Sequence, residues 1–121
     1  MPGYGDPAPL TVVETPEFLT ATRALFTSGE RAALIDYLAQ HPTAGDLVPG
    51  AGGIRKLRWA VQGRGKRGGA RVIYFYHSGE WPIFAITAYA KNVRENLSQA
   101  DRNDYRRLTK LLTETYRRTA V

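Results

Sequence analysis

The chain has no cysteine, only one methionine, and only two histidines, His41 and His77, among its 121 residues. The lack of cysteine removes disulfides, thiolate metal sites and a thiol nucleophile together, and two widely separated histidines do not make an ordinary zinc set. No segment approaches the roughly 18 consecutive apolar residues needed to span a bilayer. The start, Met-Pro-Gly-Tyr-Gly-Asp-Pro, has neither a basic head nor the apolar run of a secretion signal. These absences predict a cytoplasmic protein with no membrane association, working without metal or cofactor. In that setting Asn96-Leu97-Ser98 reads as a loop running into a helix cap rather than as a glycosylation site.

Acidic side chains are missing from one particular stretch. Overall, 17 basic and 11 acidic residues leave a net charge of +6. Residues 1–50 hold two basic and six acidic side chains, residues 51–97 nine and two, and residues 98–121 six and three. Within Ile54–His77 there are seven basic residues and no acidic one. A block of one sign this long repels itself unless an anion offsets it, which points to a polyanionic partner. Otherwise the composition, 43% hydrophobic and 23% charged, is that of an ordinary globular domain, and a chain of this length buries a core without covalent staples.

Residues 1–9, with three prolines and two glycines, read as a flexible lead-in to a single domain over 10–121. Leu10–Glu14 is rich in β-branched residues and predicts a short strand. Thr15-Pro16 supplies an N-cap and a first-turn proline for a helix whose inner face is Phe18, Ala21, Thr22 and Leu25. Ser28-Gly29-Glu30 opens a second helix, with Leu34, Ile35 and Leu38 inward, ending near His41 before Pro42. Residues 42–53, with four glycines and two prolines, read as a crossing loop without regular structure.

Three strands follow. Ile54–Val61 places Leu57, Trp59 and Val61 on one face and Lys56 and Arg58 on the other, then come Arg71–His77 and Ile83–Ala90, joined by short polar connections as an antiparallel meander. Ser98, with Asp101 three residues on, caps a final helix whose inner stripe is Leu97, Tyr105, Leu108, Leu111, Leu112 and Tyr116. Its Arg102, Arg106, Arg107, Lys110, Arg117 and Arg118 read as a solvated face. The fold class is therefore α+β: two N-terminal helices, a small antiparallel sheet and a C-terminal helix.

Gly63-Arg64-Gly65-Lys66-Arg67-Gly68 formally matches the dinucleotide fingerprint, but that motif needs a helix to begin within it, and here a strand follows. The loop reads instead as a glycine-rich arm whose Arg64, Lys66 and Arg67 adapt to a phosphate backbone. If the flanking strands pair, Lys56, Arg58 and Arg71 gather at one sheet surface with Lys91, just past the last strand. Tyr74, Tyr76, Trp59 and Trp81 read as core or half-buried sheet residues. His77, at a strand end, is a lone histidine that no carboxylate or nucleophile accompanies.

Three blocks in order carry a family likeness. Gly45–Ala60, with its Gly-Gly-Ile-Arg-Lys-Leu-Arg core, Gly63–Tyr74, and Tyr89-Ala-Lys-Asn92 with Asn96-Leu-Ser98 together resemble the RelE/HigB-like toxins of type II toxin–antitoxin systems, over about residues 10–115. The resemblance implies a small basic α+β toxin that enters the ribosomal A site and cuts translated messenger RNA. It also implies metal-independent chemistry, the ribose 2′-OH attacking the adjacent phosphate while cations stabilise the developing charge. Its partners would be the ribosome, messenger RNA and a cognate antitoxin, expected to carry a helix-turn-helix. Residue by residue, the family's basic pair on the second strand falls on Lys56 and Arg58, the arginine opening the next strand on Arg71, and the basic residues after the last strand on Lys91 and Asn92. Lys56, Arg58, Arg71 and Lys91 are thus the catalytic candidates, and Arg55, Arg64, Lys66, Arg67 and Asn92 the RNA-binding ones. An arginine expected at Asn92 is absent, a tyrosine used by some members would fall near Ser98 and is missing, and the general base is unassigned. The ParE branch shares the fold but inhibits DNA gyrase without nuclease chemistry. That reading, and a catalytically inactive RNA-binding module, stand as alternatives.

Overall fold

The structure, a computed structural model, describes residues 9–60, 69–94 and 96–119. The elements run β1 (Val12–Glu14), α1 (Pro16–Leu25), α2 (Ser28–Gln40), β2 (Asp46–Leu47), β3 (Ile54–Trp59), β4 (Ala70–Phe75), β5 (Ile83–Ala90) and α3 (Gln99–Thr119).

Local chemistry sets the helix ends. The Thr15 hydroxyl accepts the Phe18 N–H at 3.1 Å, and Pro16 occupies the first turn, where a missing donor costs nothing. The cap of α2 is Thr27, one residue before the expected Ser28. Its hydroxyl accepts from Glu30 N–H at 3.1 Å while the Glu30 carboxylate takes the Thr27 N–H at 2.8 Å. Ser98 and Asp101 make the same reciprocal pair at the start of α3, both bonds 3.0 Å long.

β3, β4 and β5 form the expected antiparallel meander. The sheet is larger and mixed, however, with strand order β1-β5-β4-β3-β2. β1 pairs with β5 in parallel, tied by Ile83 N–H to Thr11 O at 2.8 Å and Thr15 N–H to Ala85 O at 3.1 Å. A parallel partner has to arrive by a long crossover, and here the whole intervening chain supplies it. β2 lies within the segment expected to be irregular. Asp46-Leu47 adds to the free edge of β3 because its approach is tethered: the Tyr74 hydroxyl accepts Gly45 N–H at 2.9 Å and donates to Pro42 O at 2.8 Å.

The two faces of the sheet bury different clusters. On one, Phe18, Phe26, Leu34 and Leu38 of the α1–α2 layer meet Leu57, Val72, Tyr74, Ile83 and Ala85. On the other, Ile54, Ile73, Phe75, Phe84 and Ile86 meet Leu97 and the α3 side chains Tyr105, Leu108, Leu112 and Tyr116. β4 is buried along its whole length. Leu111, expected inward, is 60% exposed, whereas Thr109 is 3% exposed. At about 100° per residue, Leu111 falls some 100° from the middle of the inner stripe and Thr109 within about 50°. Thr109 is received by Gly52, whose φ of +70° and closeness to α3 leave no room for a side chain: a Cβ there would press on Thr109 Oγ1 and lie 3.0 Å from Arg106 Cα.

One irregularity matters for the site. The β4–β5 register shifts between Ile73 and Tyr74, so that Ile73 faces Thr87 and Tyr74 faces Ala85. Among the described residues, no helix is long and apolar enough to cross a membrane.

Candidate functional site

The two-residue period of β3 sends Lys56 and Arg58 toward the α3 side of the sheet together with Ile54, and Leu57 and Trp59 toward the α1–α2 side. The ladder sets Arg58 opposite Arg71, and Arg71 opposite Tyr89. Directly opposed residues share a face, with Cβ atoms about 4.5–5.5 Å apart. Arg58, Arg71 and Tyr89 therefore form a row across three strands, with Lys56 one step along β3.

A cleft of about 300 Å³ opens over that row, and Lys56, Arg58 and Arg71 line it with Arg102 from α3. The remaining walls are the Asp46–Pro49 segment and Asn96-Leu97. Asp46 is the only carboxylate in this lining, directly across the β2–β3 ladder from Lys56. Arg71 is only 7% exposed, although a residue opening a strand at a charged surface would be expected to be open to water. Its Nη1 donates to the Ala70 carbonyl at 3.3 Å. Among the described residues, no carboxylate makes an ion pair with Lys56, Arg58, Arg71 or Arg102. Like charges gathered in a partly desolvated recess oppose one another, and an anion in the cleft reverses the sign of that interaction.

The other candidates lie elsewhere. Arg55 turns away from its neighbours, donating Nη1 to Gly45 O at 2.7 Å and to Thr43 O at 3.3 Å, where it braces the loop before β2. Lys91 and Asn92 occupy the exposed turn after β5 and are not in the cleft lining, although the Lys91 N–H donates to Gly69 O at 3.0 Å. Arg64, Lys66 and Arg67 lie outside the described residues. His77 stacks on Trp81 with ring centroids 4.0 Å apart, away from the cleft. Tyr74 is fully buried, and that burial holds its hydroxyl above its ordinary pKa.

The start of α3 fixes the far wall. The Asp101 carboxylate accepts the Ser98 N–H and, at 3.1 Å, Arg94 Nη1, and the first of these bonds in particular holds it below the usual carboxylate range. Burial beneath the same helix pushes the Tyr105 phenol up to about 12. Arg94 also lies over the Tyr89 ring, 5.3 Å from its centroid. Among the described residues, no cluster of three or more histidine or carboxylate side chains is placed to hold a metal ion.

The pattern of the last helix assigned Arg102 to a solvated face, and it missed the wall that Asn96 and Asp46 supply. Arg102 sits seven residues before the buried Thr109, two helical turns away on the same flank, which is the signal that could have placed it.

A mixed five-stranded sheet, helices on both faces and a cleft lined by four cations make a small basic protein suited to an anionic ligand. Residues 38–119, more than half of the chain, match the family described as the RelE toxin of the RelE/RelB toxin–antitoxin system. The chain belongs to that family, and a cognate antitoxin is its implied partner.

Proposed function

We propose that the protein is a ribosome-dependent endoribonuclease of the cytoplasm that cuts translated messenger RNA. The observation that carries this reading is the convergence of Lys56, Arg58, Arg71 and Arg102 on one cleft against a single carboxylate. In the reaction, the ribose 2′-OH attacks the adjacent phosphorus, the 5′-oxygen leaves, and the products end in a 2′,3′-cyclic phosphate and a free 5′-OH. Negative charge builds on the non-bridging oxygens as the bond forms. Pre-placed guanidinium groups stabilise that charge without having to reorganise. Arginine is not deprotonated in proteins, so Arg58 and Arg71 act as charge donors only. Of the lining residues, Lys56 and Asp46, facing each other across the ladder, are the groups able to exchange a proton with the 2′-oxygen or the leaving oxygen.

Roles outside the cleft follow from position. Lys91 and Asn92 on their exposed turn hold the flanking RNA or ribosomal phosphates, a role that the sequence alone assigns to Arg64, Lys66 and Arg67 as well. Arg55 acts through the loop it braces. The antitoxin, expected to be a small DNA-binding protein with a helix-turn-helix, would cover this basic surface.

Inducing the protein without its antitoxin and mapping messenger 5′ ends tests the reading. Cuts within translated frames, lost in an Arg71→Ala strain, are the expected result. Intact messages accompanied by a DNA-damage response would overturn it in favour of gyrase inhibition.

A further inference from the structure

Arg102 differs from the other cations around α3. Arg106 donates Nη2 to Asn103 Oδ1 at 2.7 Å and Nη1 to Gly50 O at 3.3 Å, Arg107 pairs with Asp104, and Arg94 pairs with Asp101. Those bonds occupy Asp101 and Asp104, the two carboxylates of the first turns of α3. Among the described residues, the Arg102 side chain has no bond of this kind, and its Nε is buried without a hydrogen-bond partner. Leaving a buried charged donor unsatisfied is destabilising, and the same side chain lines the cleft that Lys56, Arg58 and Arg71 line. The backbone of Arg102 is fixed independently of the side chain, since its N–H donates to Ser98 O at 3.0 Å.

We propose that Arg102 is a fourth phosphate-binding residue of the cleft, supplied by the helix rather than the sheet, and that its guanidinium grips a non-bridging oxygen of the RNA backbone. The planar guanidinium offers two parallel donors to a phosphate, which an ammonium does not. Three cations lie on one strand pair beneath the ligand, while Arg102 closes on it from the facing wall. Only the identity of the ligand as RNA rests on the nuclease reading.

The test uses the full chain and an uncleavable single-stranded 2′-O-methyl oligoribonucleotide, titrated at several salt concentrations. Arg102→Gln should weaken binding about tenfold or more and make the slope of log affinity against log salt shallower by about 0.7. Arg102→Lys should restore the slope but only part of the affinity. Arg107→Gln, on the exposed side of the same helix, should leave the slope as it is. A purely structural role would change the urea midpoint of Arg102→Gln and not the salt slope. An unchanged slope in Arg102→Gln, or an oligonucleotide that does not bind the parent protein, overturns the assignment. Because the probe cannot be cut, loss of the slope term in a protein that leaves cellular messages intact would uphold Arg102 as a phosphate contact while defeating the nuclease reading.

Discussion

Gly50 and Gly52 provide a matched pair for measuring how tightly α3 is held on the loop before β3. Their φ values, +72° and +70°, are almost the same, so an alanine at either meets the same backbone penalty, about 1–2 kcal/mol for a left-handed conformation. Their surroundings differ completely. A Cβ at Gly50 has nothing within 4 Å, whereas one at Gly52 runs into Thr109 Oγ1 and lies 3.0 Å from Arg106 Cα. The threonine oxygen belongs to a short side chain and the other contact is helix backbone, so neither moves aside freely. Overpacking of this kind costs about 1–3 kcal/mol. Gly50→Ala should therefore destabilise the protein by about 1–2 kcal/mol and Gly52→Ala by about 2–5 kcal/mol. Urea unfolding of the two variants beside the parent gives both numbers, and their difference isolates the packing between loop and helix. Equal destabilisation would refute the reasoning, because it would mean that α3 does not press on residue 52 in solution.

In single-turnover cleavage on ribosomes at saturating protein, Arg71→Ala should lower the rate about 10²–10³-fold, the usual cost of losing a donor aimed at transition-state charge; a rate within a few-fold of the parent would remove Arg71 from the site. Tyr74→Phe leaves Gly45 N–H and Pro42 C=O without their buried partner and should cost about 2–4 kcal/mol in urea unfolding, a loss that double variants with Arg71 should show to be independent of catalysis. The Asp101 carboxyl titrates lower in the folded protein than its ordinary 3.8, so its contribution to stability is complete above that value and is lost as the pH falls through the lowered one; Asp101→Asn should flatten this acid limb. The phenol of Tyr105 behaves oppositely, its contribution being complete below about 10 and lost as the pH rises toward about 12, so Tyr105→Phe should resist alkaline unfolding, followed by far-ultraviolet circular dichroism, better than the parent.

Features written in short-range chemistry were legible from the residues alone. Thr15-Pro16, the Ser98–Asp101 capping pair and the alternation of Lys56, Leu57 and Arg58 each decide their own geometry within a few positions, and the structure keeps all three. Long-range partners were not legible in this way. Nothing within Leu10–Glu14 states that its neighbour will be a parallel strand some 70 residues later, and nothing in Asp46-Leu47 announces a strand until Tyr74 reaches across to hold Gly45. The cleft divides along the same line. Lys56, Arg58 and Arg71 meet because a two-residue period and a hairpin suffice to bring them together. Arg102 depends on where a distant helix comes to rest, and polarity counted along that helix assigns it to water. Thr109 and Leu111 are a different case, since the count of about 100° per residue already sets Leu111 off the stripe and Thr109 near it, and the bare backbone of Gly52 leaves the room that Thr109 fills.

The register shift in β5 carries a consequence for how this scaffold tolerates change in length. Before the shift, Phe84 and Ile86 look toward α3; after it, Thr87 and Tyr89 do, because one extra residue has reversed the alternation. Removing a single residue at Ile86 or Thr87 would restore an uninterrupted ladder and leave every flanking pair in place, with Tyr89 still beside Arg71. Removing both would turn the outer half of β5 over: Ala90 would stand beside Arg71 where the tyrosine ring now stands, and Tyr89 would be driven into the α1–α2 layer. A one-residue deletion at this point is therefore a shortening that leaves the cleft's border as it is, whereas the loss of a pair inverts that border, because the bulge already holds the odd residue.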